Sequence, residues 1–351
     1  MQKKKIVFIY NPISGTTGKK LILSQVESKL DLDQFDYSLQ KTNYAGHATL
    51  LAKEAVAAGA DIVCAIGGDG TVNEVGRALI NTETALAIIP CGSGNGLARH
   101  LHIPIDPIHA IELINEGSVR KMDYGMIDSH PFFCTCGVGF DAFISQKFAK
   151  SKQRGPLAYI ENVLVSGLGY NPETYDIDIV DEKEEHTVHK AFLISCANAS
   201  QYGNNVYIAP QASVRDGLLD VTILEPFTVI DAPQIAIQLF NGTIDQNSRI
   251  STFRCKSLTI HRSNPGVIHF DGDPSTADRE VAVSIVPKGL LCVCPKKEGV
   301  FDVADNIQYT LMEQFGMIQM HSEALIRANK KTNRKLREKG KSIVKKLKPR
   351  K

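Results

Sequence analysis

Asp61-Ile-Val-Cys-Ala-Ile-Gly-Gly-Asp-Gly-Thr-Val-Asn-Glu74 reads as a buried strand, a glycine turn and the opening of a helix. Strand, glycines and helix in this order build an anion site, because the amides of the turn point outward and the helix N-terminus favours negative charge. Glycine also lets a phosphate come close to the backbone. The stretch is not the Gly-x-x-x-x-Gly-Lys-Ser/Thr phosphate loop. Asp69 sets a carboxylate beside the anion site, suited to a metal ion or to a hydroxyl awaiting deprotonation. The plainer reading of the same residues is a tight turn with a helix cap.

Two further loops follow neighbouring apolar runs. Asn11-Pro-Ile-Ser-Gly15 comes after Ile6–Tyr10, and Pro90-Cys-Gly-Ser-Gly-Asn-Gly96 comes after Ala85–Pro90. Helical spacing at Lys19–Leu30, Ala48–Ala58 and Pro107–Asn115, with a strand pattern at Phe35–Gln40, completes an alternation of strand and helix. Such alternation predicts a parallel sheet covered by helices, with ligands at the carboxyl ends of the strands. Three glycine loops at three strand ends make chance a poor explanation. A dinucleotide fingerprint fits less well, since Gly92-x-Gly94-x-Gly96 lacks the Gly-x-Gly-x-x-Gly spacing.

Beyond residue 120 the pattern changes to short β-rich runs: Val119–Ile127, Phe132–Val138, Thr174–Val180, Val188–Ala197, Leu218–Leu224, Lys256–His261, Val281–Val286 and Leu291–Cys294. Turn residues separate them, as in an antiparallel sandwich or barrel. The expected organisation is an α/β domain over 1–122, an all-β antiparallel sandwich over 123–304, and a helical basic tail over 305–351. In the tail, Ile307, Leu311, Phe315, Ile318, Leu325 and Ala328 fall near one stripe.

Charge is unevenly spread. The chain carries 40 Lys and Arg against 38 Asp and Glu; Arg327–Lys351 holds 13 of the former and one of the latter, leaving 27 and 37 in the body. The body is acidic and the tail is strongly basic, which points to an anionic membrane surface as a partner and not to nucleic acid. No apolar stretch approaches the roughly 18 residues that would cross a bilayer. The apolar run behind Met1-Gln-Lys-Lys-Lys5 stops at Asn11-Pro12 and reads as a strand, not an export signal. The eight cysteines are therefore expected as reduced thiols in a cytoplasmic, peripherally membrane-associated protein. Cys134/Cys136 and Cys292/Cys294 read as buried core residues; their spacing is unlike that of a zinc site.

Asn11-Pro-x-Ser-Gly15, Gly67-Gly-Asp-Gly-Thr71 and Gly92-Ser-Gly-Asn95, in this order, resemble the catalytic domain of the diacylglycerol kinase and sphingosine kinase superfamily. Gly137-Val-Gly-Phe-Asp-Ala142, Ala209–Asp220 and Asp271-Gly-Asp273 resemble that family's later motifs, so the likeness runs over about residues 3 to 297. It implies a kinase that uses ATP and Mg²⁺ to phosphorylate the primary hydroxyl of diacylglycerol or a related lipid. It assigns the nucleotide to Asn11, Ser14, Gly15, Thr42, Gly67, Gly68, Asp69, Gly70, Thr71, Val72, Asn73 and Ser93, with Arg154 as a further phosphate contact. A structural Mg²⁺ maps to the Asp216 carboxylate and the carbonyls of Ser213 and Leu218, oxygen donors suited to a hard cation. The catalytic base falls to Asp271, Asp273 or Asp69; the family usually has Glu where this chain has Asp273. Asp141 is a candidate for orienting a lipid headgroup. The alternatives are a sphingoid-base kinase, suggested by the Gly92-Ser-Gly-Asn95 form of the third loop, an NAD kinase, or a non-catalytic lipid-binding regulator. A homodimer remains open.

Overall fold

The structure, a computed structural model, describes residues 2–12, 19–150, 169–180, 184–228 and 230–296. Ser14, Gly15, Arg154 and the tail expected over 305–351 lie outside these residues. The chain divides into Met1–Glu298, which holds all the described residues, and Gly299–Lys351.

The first third is an α/β domain. Strands β1 (Lys4–Tyr10), β2 (Phe35–Lys41), β3 (Ile62–Gly67) and β4 (Ala85–Pro90) lie parallel in the order β2-β1-β3-β4. Helices α1 (Lys19–Lys29), α2 (His47–Ala57), α3 (Asp69–Leu79), α4 (Gly96–His100) and α5 (Pro107–Glu116) connect and follow them. Every residue of β3 and β4 is buried, which is why both read as unbroken apolar runs. The α5 helix shows its start in the sequence: Asp106 accepts the amides of Ile108 and His109, with Pro107 at the first helical position.

The rest is a sandwich of antiparallel strands. One layer holds β5 (Ser118–Ile127), β6 (His130–Phe132), β8 (Glu173–Val180), β9 (Glu184–Ala191), β13 (Ser257–Arg262) and β16 (Glu280–Cys294). The other is the six-stranded sheet β12-β11-β10-β7-β14-β15, built from β7 (Thr135–Gly139), β10 (Leu193–Ala197), β11 (Leu219–Leu224), β12 (Ile250–Cys255), β14 (Gly266–Phe270) and β15 (Asp273–Ala277). Ile127, Phe132, Val138, Ile177, Ile194, Val221, Ile260 and Ile268 fill the space between the layers. Helices α6 (Phe140–Lys150) and α7 (Ala232–Asn241) bring Phe140, Ile144 and Ile235 into a separate apolar cluster with Phe192, Leu193 and Leu224 of the second layer.

The long strand β16 joins the two parts. Its first half pairs with β13 and β5; past a bulge at Val286–Leu290 it continues along β5, and Cys292 pairs in parallel with Leu86 of β4. The sequence reads this strand as two runs because Pro287-Lys288-Gly289 interrupts it. Lys288 takes a positive φ there, and its amide donates to the buried Asp123 carboxylate at 2.7 Å. Likewise Val188–Ala197 is two strands in different layers, with the chain crossing at Phe192.

The hairpin β14–β15 matters for the site. Phe270 pairs with Asp273, so Asp271-Gly272 forms a two-residue turn with φ of 51° and 85°. This is the Asp-Gly turn whose twist suits a tight hairpin. At the open end of the hairpin the Arg262 guanidinium donates to the carbonyls of Gly266, Val267, Ala277 and Asp278. The eight cysteines are all buried, and none of them forms a disulfide. Among the described residues no helix is long and apolar enough to cross a membrane.

Candidate active site

The carboxyl ends of β1, β3 and β4 lie side by side, and the loops that leave β3 and β4 form one edge of the site. Asn11 donates its amide to the Ile66 carbonyl, and Cys91 donates its amide to that of Gly67. Thr42, at the end of β2, is buried and held to the Tyr10 carbonyl at 3.0 Å. Gly68 and Gly92 touch backbone to backbone: a Cβ added at Gly92 would stand 2.6 Å from the Gly68 Cα. By contrast, nothing lies within 4 Å of a Cβ at Gly70, and Ser93 is exposed. Gly70 is itself exposed, so the first turn of α3 faces solvent there.

Asp69 locks two of the loops together. One of its carboxylate oxygens accepts the amide of Asn95 at 2.8 Å and the other that of Gly96 at 2.7 Å. Burial raises its pKa, opposed by these amides. Gly94 packs against this carboxylate, and Gly203, at φ 110°, packs against Gly94. Both oxygens of Asp69 are engaged, so the residue serves the shape of the glycine loops. Replacing it with Asn turns one acceptor into a donor facing an amide. Asp69→Asn is expected to lower kcat by roughly tenfold or more, the worth of one charge-assisted hydrogen bond, with the fold retained in circular dichroism. Unchanged turnover would free Asp69 of any role.

One face of α3 then carries the site across to the β sandwich. Asp69, Asn73 and Arg77 are four residues apart and share that face. The Asn73 amide nitrogen donates to Asp271, and Arg77 Nη2 lies 3.4 Å from the Asp273 carboxylate. Arg77 also stacks over the Phe270 ring, 4.8 Å from its centroid. Arg77 carries no motif of its own in the sequence; its four-residue spacing from Asn73 and Asp69 is the one signal that points to it.

The three carboxylates offered as the base differ sharply. Asp271 accepts the amides of Phe133 at 2.8 Å, Cys134 at 2.7 Å and Thr135 at 3.1 Å in addition to Asn73. Burial pushes its pKa up to about 6 against the pull of those amides. Asp69 is engaged as described above. Asp273 alone points into solvent, with 57% of its side chain exposed and Arg77 beside it.

A second polar group sits on the outer side of the six-stranded sheet. His269 Nε2 is 3.0 Å from Asp141, and the Tyr202 hydroxyl donates to the same carboxylate oxygen at 3.2 Å. His269 is buried, and its Nδ1 has no hydrogen-bond partner among the described residues. His269 pairs in register with Gly137, whose missing side chain leaves room for the Asp141 carboxylate. Tyr202 directly precedes Gly203, so this group adjoins the third glycine loop. His269 and Tyr202 had no sequence signal of their own.

The residues offered as metal ligands lie apart from the loops. Asp216 accepts the Leu218 amide at 3.1 Å, and the Ser213 hydroxyl accepts the Arg215 amide at 3.3 Å. Among the described residues no three acidic, His or Cys side chains could hold a metal by themselves. The donors would therefore be one carboxylate and backbone carbonyls. Nearby Asp220 has a buried carboxylate oxygen without a partner, and Asp216 helps raise its pKa, after burial. Arg254 lies against both carboxylates, 2.8 Å from Asp220 and 4.0 Å from Asp216, so a hard cation taken by these oxygens would share them with a guanidinium.

Residues 5–127 match the family described as "Diacylglycerol kinase catalytic domain", and residues 134–294 match the "YegS C-terminal NAD kinase beta sandwich-like domain". The chain is 29% identical to the diacylglycerol kinase of Bacillus subtilis (strain 168), over 77% of this chain and 90% of that protein. It is 28% identical to the diacylglycerol kinase of Mycobacterium tuberculosis (strain ATCC 25618 / H37Rv), over 83% and 96%. A crystal structure of a diacylglycerol kinase from Bacillus anthracis str. Sterne superposes with a TM-score of 0.65 at 21% identity, covering 84% of this chain and 98% of that one. At that identity the likeness is one of fold.

Proposed function

Because the chain belongs to the diacylglycerol kinase superfamily of lipid kinases, we propose that it transfers the γ-phosphoryl group of ATP to the primary hydroxyl of diacylglycerol. The observation that carries this is the single face of α3. Asp69 closes the glycine loops at one end of it, and Asn73 and Arg77 hold the Asp271–Asp273 hairpin at the other. Phosphate-binding backbone and a solvent-facing carboxylate are thereby fixed to one rigid element.

In the proposed mechanism the amides around Gly68–Gly70 and the Asn11 loop cradle the ATP phosphates. Mg²⁺ bound with ATP would offset phosphate charge. Asp273 orients the lipid hydroxyl and takes its proton as the oxygen attacks the γ-phosphorus in line; ADP leaves. Phosphoryl transfer depends mostly on positioning and charge neutralisation, so a carboxylate of ordinary basicity suffices. Asp141, fixed by His269 and Tyr202, orients the headgroup. Its carboxylate would also suit an amine, and with the Gly92-Ser-Gly-Asn95 loop this favours a sphingoid base as the second reading. Assaying diacylglycerol, monoacylglycerol, sphingosine, ceramide and undecaprenol side by side with radiolabelled ATP tests both. Label on none of them would overturn the lipid-kinase reading.

The same reading gives Ser213, Asp216 and Leu218 a structural Mg²⁺ that would tie the turn before β11. Asp216→Ala is expected to lower the melting temperature and to remove one equivalent of Mg²⁺ in elemental analysis, with nucleotide binding retained. Wild-type protein without metal beyond the ATP-linked ion would refute the site. The basic run Arg327–Lys351 is proposed to hold the acidic body at an anionic bilayer, each basic residue adding on the order of 1 kcal/mol before entropy and screening. A 1–326 truncation is expected to co-sediment less with anionic vesicles; equal binding would show that the tail is not an anchor.

A further inference from the structure

Arg77 is placed for more than holding the hairpin. It stands eight residues beyond Asp69 on α3, about two turns along the face that opens at the glycine loops. Side chains of a helix lean toward its N-terminus, which for α3 is the glycine-loop end. The guanidinium lies over the buried Phe270 ring. Phe270 stacks in turn on His130, with centroids 4.4 Å apart and planes 8° from parallel. The charge therefore rests on a packed aromatic platform and not on a free arm.

The protein itself engages little of that charge. Nη2 meets Asp273 at 3.4 Å, and more than half of the aspartate side chain is in solvent. Nε is buried with no hydrogen-bond partner among the described residues. A guanidinium offers its N–H donors in a planar fork, the arrangement that takes two oxygens of a phosphate side by side. The base fixes where such a group would come. A base stands about 2.6–3.2 Å from the hydroxyl it deprotonates. That oxygen stands about 3–3.5 Å from the phosphorus it attacks. The phosphorus is then within about 7 Å of the Asp273 carboxylate, and the arginine beside this carboxylate is within reach of the phosphoryl oxygens.

We propose that Arg77 is a catalytic residue that donates hydrogen bonds to equatorial oxygens of the γ-phosphoryl group during transfer. The lipid oxygen forms a bond to the γ-phosphorus, and its proton passes to Asp273. The bond from that phosphorus to the β–γ bridging oxygen breaks and leaves its electron pair on ADP. Arg77 makes and breaks no covalent bond; it offsets charge on the equatorial oxygens. The proposal rests on the reading of ATP as donor and Asp273 as base, and it gives Arg77 a role that does not run through the hairpin.

Full-length Arg77→Gln, Asp273→Ala and the variant carrying both are compared on dioctanoylglycerol with radiolabelled ATP. Arg77→Gln is expected to lower kcat by about 10³-fold, the low end of an arginine's worth to a transferring phosphoryl group, with little change in KM for ATP. Arg77→Lys keeps the charge without the fork and should recover part of the loss. The double variant should be at least about tenfold slower than Asp273→Ala alone. Equal rates would show that Arg77 acts only through Asp273 and would overturn the proposal. A second arm needs no lipid. The Kd of ADP with Mg²⁺ is measured with and without aluminium fluoride, which mimics the planar phosphoryl group. Wild type should bind ADP about a hundredfold more tightly with the fluoride. Arg77→Gln should lose that gain and keep its affinity for ADP alone. A gain retained by Arg77→Gln, or none in the wild type, would overturn the proposal. Should Arg77→Gln unfold, Arg77→Lys carries the same comparison: a partial loss is expected, and an undiminished gain would be fatal. A wild type inert on dioctanoylglycerol, with a fluoride gain that Arg77→Gln loses, would sink the acceptor reading and leave Arg77 its role.

Discussion

Replacing Asp273 with alanine is expected to lower kcat for the lipid by roughly 10²–10⁴-fold, the usual worth of a general base, with little change in melting temperature. The stability expectation follows from exposure. Asp273 has 57% of its side chain in solvent, and its ion pair with Arg77 spans 3.4 Å. Such exposed pairs contribute about 0–1 kcal/mol. The activity expectation follows from comparing the three carboxylates: Asp69 and Asp271 spend their oxygens on backbone amides, and Asp273 does not. Asp273→Glu, which restores the residue usual in the family, should remain active, since the exposed position has room for one more methylene. Steady-state kinetics on both variants, alongside thermal unfolding, checks the assignment. Alanine turnover above about a tenth of wild type, or a glutamate variant that is folded and dead, would exclude Asp273 as the base.

Much of the α/β domain was legible because β3 and β4 are buried along their whole length and lead into glycine loops. Ile62–Gly67 and Ala85–Pro90 have no polar residue to blur their limits. The sandwich was legible in kind but less so in detail. Asp271-Gly272 carries two signals, an acidic motif and a two-residue hairpin turn, and the first hides the second. Strands β14 and β15 therefore did not appear as strands. Helix α7 escaped because it lacks the charged face that usually marks a surface helix. The site was legible wherever a residue acts through its own loop, as at Gly67–Asn73. It was not legible where a contact depends on register across strands. His269 meets Asp141 only because β14 lies beside β7 with Gly137 opposite, and no local pattern reports that pairing.

Helix α3 also makes contacts beyond those to the glycine loops and the hairpin. Glu74 turns away from the site, and its carboxylate accepts the amides of Gly46 at 2.9 Å and Ala48 at 3.1 Å at the start of α2. Gly76 lets Phe133 lie against the helix; a Cβ there would come within 2.7 Å of the ring. Phe133 is the first of three consecutive residues whose amides bind Asp271. The distance between the glycine loops and the hairpin is therefore set by one helix, one aromatic ring and one carboxylate.

Asp271 is where that construction is most vulnerable. Asp271→Ala removes the acceptor for the Phe133, Cys134 and Thr135 amides and for Asn73, all buried groups. The expected loss is about 3 kcal/mol or more, since each buried donor left without a partner costs about 1–3 kcal/mol. Activity should go with it, because the turn that carries Asp273 is no longer pinned to β7. Asp271→Asn keeps one acceptor oxygen and gives a finer test. The folded pKa of Asp271, about 6, lies above its ordinary value of 3.8 because of burial. A carboxyl group raised in this way stabilises the fold fully below about pH 4, and that contribution is lost as the pH rises through about 6. The asparagine side chain does not titrate. The stability deficit of Asp271→Asn relative to wild type should therefore be larger at pH 5 than at pH 7.5, as read from denaturant unfolding at the two values. A deficit that shrinks toward low pH would mean that the amides outweigh burial and hold the carboxylate ionised. Asp271 would then act as a permanent anion at the turn and not as a group poised near neutrality.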